Sequence, residues 1–135
     1  MATAETSSRL DQLRTGFSGT IIGPADAGYD DARRVHNAMI DRRPALIARC
    51  VTTADIVDAL QYARAEGMDV SVRGGAHNVA GRAMMDDSLS IDLSAMRSVY
   101  VDPARRTARA QGGSLWLDFN RAAAVHGLAT TGGAI

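Results

Sequence analysis

The chain has 135 residues, enough for one ordinary domain that buries roughly two thirds of its unfolded surface. Its hydrophobic fraction of 46% is that of a globular protein, and its formal net charge is zero, with the charges mixed along the chain. That argues against the basic stripe that a nucleic-acid or anionic-membrane surface requires.

All fifteen basic residues are Arg and none is Lys, so a phosphate loop of the Gly-Lys-Ser/Thr type and a lysine Schiff base are both impossible. Cys50 is the only cysteine, which removes a disulfide framework and a cysteine-rich zinc site. It lies in an apolar run, residues 45–51, and reads as a small buried hydrophobe. The polar start of the chain lacks the basic-then-apolar pattern of a secretory leader. No apolar run approaches the roughly 20 residues of a membrane span. A soluble, cytoplasmic protein without membrane or nucleic-acid partners is expected.

In chain order, residues 1–18 read as a polar lead-in, frayed or a short helix, ahead of a domain over residues 19–135. Gly19-Thr20-Ile21-Ile22-Gly23-Pro24 is a brief apolar run closed by a loop signal. Residues 30–40 predict a helix, opened by Asp30 and Asp31 and followed by Pro44. Residues 45–51 predict a strand. Thr52 or Thr53 would cap a helix with Ile56, Val57, Leu60 and Ala63 at helical spacing, ended by Gly67. Asp69-Val70-Ser71-Val72-Arg73 alternates as a second strand would, giving a βαβ unit with parallel strands and a right-handed crossover. Leu89-Ser90-Ile91-Asp92-Leu93 is another alternating strand. Residues 99–101 and 107–110 flank a turn at Asp102-Pro103-Ala104-Arg105-Arg106 and predict a hairpin. Ser114 would cap a last helix with Leu115, Trp116, Phe119 and Ala122 on one face, stopped by Gly127. The fold class is α+β: a βαβ unit followed by a mixed strand and hairpin region and a helix.

The chemistry-bearing segment is Arg73-Gly74-Gly75-Ala76-His77-Asn78-Val79-Ala80-Gly81. Gly74 and Gly75, directly after a strand, let backbone approach a ligand without a Cβ in the way. Successive N–H groups in such a turn form a concave anion site suited to a pyrophosphate. His77 and Asn78 present polar groups at the same mouth. Gln111-Gly112-Gly113 precedes a helix N-terminus, a favoured phosphate site, and Thr130-Thr131-Gly132-Gly133 adds a third glycine turn.

In this order and spacing the segments resemble the flavin-linked oxidases of the p-cresol methylhydroxylase and vanillyl-alcohol oxidase superfamily, in the berberine bridge enzyme-like branch. The resemblance also takes in residues 28–33 with Asn37, Arg43-Pro44, and Ile91-Asp92-Leu93-Ser94. It implies the N-terminal part of a PCMH-type FAD-binding domain, without the substrate domain that lies over the flavin in complete relatives. It implies FAD contacts at Arg73, Gly74, Gly75, Ala76, His77, Asn78, Gly81, Gln111, Gly112, Gly113, Thr131, Gly132 and Gly133, with His77 as the residue bonded to the flavin 8α-methyl group. Two positions depart from the family's pattern. Ala76 stands where glycine is usual, and His36 stands where an aromatic residue usually precedes Asn37. A second tether, through a cysteine beyond the last glycine turn, is not expected, because Ile135 sits near that place.

The resemblance thus implies the FAD-binding portion of an oxidoreductase that moves hydride from an alcohol- or amine-type substrate to flavin N5, with oxygen as acceptor. It assigns no catalytic base. The alternative is a truncated, non-catalytic module that does not hold flavin alone and associates with a partner or with itself through unpaired strand edges.

Overall fold

The computed structural model describes residues 2–133 and opens with α1 (Ala2–Gly16), followed by β1 (Thr20–Ile22) and a one-turn helix, α2 (Tyr29–Ala32). The strand–helix–strand reading then holds in β2 (Leu46–Arg49), α3 (Thr53–Glu66) and β3 (Val70–Arg73). Thr52 is the cap of α3: its Oγ1 accepts the Asp55 N–H at 3.1 Å. The Asp55 carboxylate in turn accepts N–H bonds from Thr52 at 2.8 Å, Val51 at 2.9 Å and Ser18 at 2.8 Å. Gly67 ends the helix in the left-handed region at φ 65, where glycine has no Cβ penalty.

The buried stripe of α3 differs from the expected one. Ala59, Tyr62 and Ala63 are buried, with Ile56 packed against them, while Val57 and Leu60 face solvent. Ala59, with no exposed surface at all, lets the helix lie close on the sheet.

Strand order goes beyond the sequence reading. The strands of the βαβ unit are parallel, yet β4 (Leu89–Asp92) lies between them and pairs with both, in the order β1-β2-β4-β3. Every residue of β4 is buried, so its alternation is not a core face and a wet face. Leu89 and Ile91 join Leu13, Phe17, Ala48 and Tyr62 in the core under α1 and α3. The opposite face carries Ser90 and Asp92 and is covered by chain from the segment after the glycine loop. There Ser90 Oγ donates to the Ala83 carbonyl at 3.3 Å, and neighbouring Ser88 donates to Met85 at 2.9 Å. A smaller cluster of Ile22, Tyr29, Ala32, Ile47 and Met84 fills that side.

The hairpin forms as read, with β5 (Val99–Asp102) antiparallel to β6 (Thr107–Ala110) in a separate two-stranded sheet. The last helix, α4 (Trp116–Ala124), begins one residue later than Ser114 would place it, with Leu115 at the cap position. Leucine offers no acceptor. Asp118 supplies the cap bond instead, taking the Leu115 N–H at 2.8 Å while Arg97 grips the same carboxylate through two bonds of 2.8 and 2.9 Å. Gly127, at φ 63, follows the helix end.

The expected helix over residues 30–40 is the clearest miss. Regular helix stops at Ala32, because the following backbone bonds elsewhere. The His36 N–H donates to the Ala76 carbonyl at 3.0 Å, and the Asn37 amide donates to the Val79 carbonyl at 3.0 Å while its oxygen accepts the Met39 N–H at 3.1 Å. A short polar side chain that satisfies nearby backbone competes directly with helix.

Among the described residues no helix is long and apolar enough to cross a membrane. Ile135 lies outside them. Cys50 is fully buried, and that burial, with Asp55 and Asp92 adding to it, pushes its thiol up to about 12, so it packs as a hydrophobe.

Candidate functional site

The glycine loop leaves the C-terminal end of β3, the edge strand of the parallel part of the sheet, and such strand ends commonly receive ligands. Arg73 does not reach into it. Its guanidinium donates to the Ala32 carbonyl and so holds α2, while its buried Nε has no protein partner. Gly74 is where the loop meets the rest of the site: a Cβ there would stand 2.5 Å from the Gly112 carbonyl oxygen. Two glycine turns, far apart in sequence, therefore touch backbone to backbone. Gly112 and Gly113 are pressed in turn against Leu93, with a Cβ on Gly113 falling 1.8 Å from the Leu93 carbonyl oxygen.

Ala76, which stands where glycine is usual in the family, is buried and adopts φ 59, in the left-handed region. His77 follows with an exposed imidazole that lies over Gly75, where an added Cβ would come within 2.7 Å of the ring. The same imidazole stacks on His36, with ring centroids 5.1 Å apart and planes 7° from parallel. Asn78 turns back into the loop, its Oδ1 accepting the Arg82 N–H at 3.1 Å. Gly81, at φ 71, closes the loop against Ile40.

Between this loop and α4 runs a groove of about 600 Å³, within the range of small-molecule sites. The glycine-loop side contributes Gly75, His77 and the stacked His36. The other side contributes Gln111, Ser114, Trp116 and Phe119, the last two in an edge-to-face pair at 5.8 Å. No carboxylate is among these lining residues. The Gln111 side chain is partly committed, since its Oε1 accepts the Ser98 N–H at 2.8 Å and closes the hairpin.

Of the residues singled out from sequence, Gly75, His77 and Gln111 line the groove, and Gly74, Ala76, Gly112 and Gly113 form the backbone behind it. Asn78 and Gly81 shape the far limb of the loop, and Arg73 faces α2. Gly132 lies so close to the Trp116 ring that a Cβ would fall 1.7 Å from Cζ2, whereas Thr131 and Gly133 are exposed off the lining. His36, Ser114, Trp116 and Phe119 were missed as site residues. Trp116 and Phe119 had been placed on one helix face beside a Gly-Gly turn, without a ligand role. Helix α4 buries only Ala123.

A family model described as an FAD binding domain matches residues 44–134. The (R)-6-hydroxynicotine oxidase of Paenarthrobacter nicotinovorans is 37% identical over 117 residues, which cover 87% of this chain and 26% of the relative. An uncharacterized FAD-linked oxidoreductase of Bacillus subtilis is 29% identical over 122 residues, 90% of this chain and 27% of that protein. The crystal structure of 6-hydroxy-D-nicotine oxidase from Arthrobacter nicotinovorans matches with a TM-score of 0.78 at 36% identity, covering 83% of this chain and 25% of that one. The chain thus spans about a quarter of the length of these relatives.

Proposed function

The chain belongs to the FAD-binding-domain family of the FAD-linked oxidases, and on that premise we propose that FAD lies in the groove between His77 and Trp116. The observation that carries this reading is that Gly75 and His77 of the glycine loop face Gln111 and Ser114 across one groove, a juxtaposition held from behind by the contact of Gly74 with Gly112. The N–H groups of the glycine loop after β3 suit the pyrophosphate, whereas those of Gln111, Gly113 and Ser114 are already donated to the Ser98, Met96 and Gln111 carbonyls. Trp116 and Phe119 suit an aromatic ring system, and Gln111 and Ser114 offer polar contacts along the same wall.

When bound, FAD supplies a two-electron acceptor for hydride from an alcohol- or amine-type substrate, with oxygen as the final acceptor. His77 is the residue we assign to covalent attachment, since its exposed imidazole stands at the groove. A bonded imidazole withdraws electron density and raises the cofactor's potential. It holds and tunes, and does not move the substrate's proton. The substrate and its proton acceptor belong to the proposal for the whole protein, and none of the groove side chains is assigned that role.

The test is visible absorbance of the purified chain supplied with FAD, before and after acid denaturation. We expect flavin bands that stay with the wild-type protein in acid and leave the His77→Ala variant. Complete release from the wild type would remove the covalent bond while keeping the cofactor. A colourless, FAD-indifferent protein would contradict the groove assignment and favour a module that takes up flavin only with a partner.

A further inference from the structure

We infer that His36 is a positioning residue for His77, holding the plane in which that imidazole faces the groove; this rests on reading the groove as the FAD site. The pairing is not announced by the sequence, since the two histidines lie in segments about 40 residues apart. The structure brings their rings to 5.1 Å at 7°.

That approach is built by the backbone. The His36 N–H donates to the Ala76 carbonyl at 3.0 Å, one residue before His77. The Asn37 amide donates to the Val79 carbonyl at 3.0 Å, two residues after it. Ile40 fills the space left by the missing Cβ of Gly81. Residues 36–40 thus clasp the glycine loop on both sides of His77, and the helix expected there gives way to the clasp.

His77 needs such a brace. Its ring is exposed, and beneath it lies Gly75, which has no side chain to fix a rotamer. An exposed imidazole with two free side-chain torsions would otherwise sample several orientations. Stacking selects one, and the loss of an aromatic pair predicts about a 3- to 10-fold weakening of FAD affinity. His36 also lines the groove, so its ring can brace His77 without covering the cavity.

The test combines His36→Ala, His36→Phe, His77→Ala and the double alanine variant, with unfolding midpoints confirming that each folds. In FAD-free protein, the ring protons of His77 should move downfield by NMR in His36→Ala as ring-current shielding is lost, and should stay shielded in His36→Phe. The affinity of the initial, reversible FAD complex, read by rapid mixing before acid-stable flavin accumulates, should fall in His36→Ala, recover in His36→Phe, and be indifferent to His36→Ala once His77 is already alanine. Unmoved His77 resonances would overturn the assignment. So would an equal affinity loss in both backgrounds, which would make His36 an independent wall of the groove. A wild-type protein with shielded His77 protons but no FAD affinity would refute the flavin reading, and with it the positioning role, while leaving the stack itself in evidence.

Discussion

Ala76 holds a backbone conformation that a methyl group disfavours. At φ 59 an L-residue carries about 1–2 kcal/mol of strain, yet the methyl is buried and the carbonyl accepts the His36 N–H, so the conformation is fixed from outside. Two substitutions separate these contributions. Ala76→Val puts a β-branched side chain at positive φ in a filled space and should cost roughly 2–3 kcal/mol of unfolding free energy in urea titrations. Ala76→Gly should stay within about 1 kcal/mol of wild type, because relief of strain offsets the lost methyl burial. A valine variant as stable as the parent would mean that the loop does not hold this conformation in solution. Ala76 was legible as a departure, since glycine is usual at that place in the family, but its positive φ came from the structure. The role of His36 was not legible, since it depends on a stack with a ring far away in sequence.

At the scale of elements, the N-terminus of α3 shows how one buried carboxylate fixes a junction. Burial of Asp55 favours its protonated form, but the N–H donors of Val51, Ser18 and Thr52 and the Thr52 side chain outweigh it, and its carboxyl lies below the usual carboxylate range. A depressed folded pKa gives stability that is present above the unfolded value, near 4, and is lost as pH falls through the lower folded value. Asp55→Asn should therefore cost about 1–3 kcal/mol at neutral pH, where an amide hydrogen meets donors that want an acceptor. The gap between variant and parent should narrow in acid. A constant gap between neutral pH and strongly acid conditions would show that the charge is not what matters. The Thr52 cap, the αL stop at Gly67 and the hairpin were legible because each depends on neighbours within a few residues. The insertion of β4 between β2 and β3 was not, because strand order is set by long-range pairing that alternation does not encode. The loss of the expected helix beyond Ala32 has the same origin. The opening at Asp30 and Asp31 was real, and bonds to the glycine loop overrode the continuation.

Across the whole molecule, the four-stranded sheet is covered by α1 and α3 on one face and by α2 and the segment after the glycine loop on the other. The hairpin and α4 stand beyond the end of β3, and the groove lies at this junction. The junction is made of backbone: the Leu93 N–H donates to the Arg73 carbonyl at 2.8 Å, and Gly74 meets Gly112. Three glycine segments in the right order announced the family and its cofactor. Which of their residues would line the cavity depended on packing that order alone does not fix, so Gly75, His77 and Gln111 face it while Arg73 turns away. Trp116 is the only tryptophan in the chain and stands on the groove wall, so its emission reports directly on the central claim. Titrating FAD while following that emission, corrected against free tryptophan amide, should give saturable quenching. A linear decline no different from the free amide would place FAD elsewhere and contradict the account.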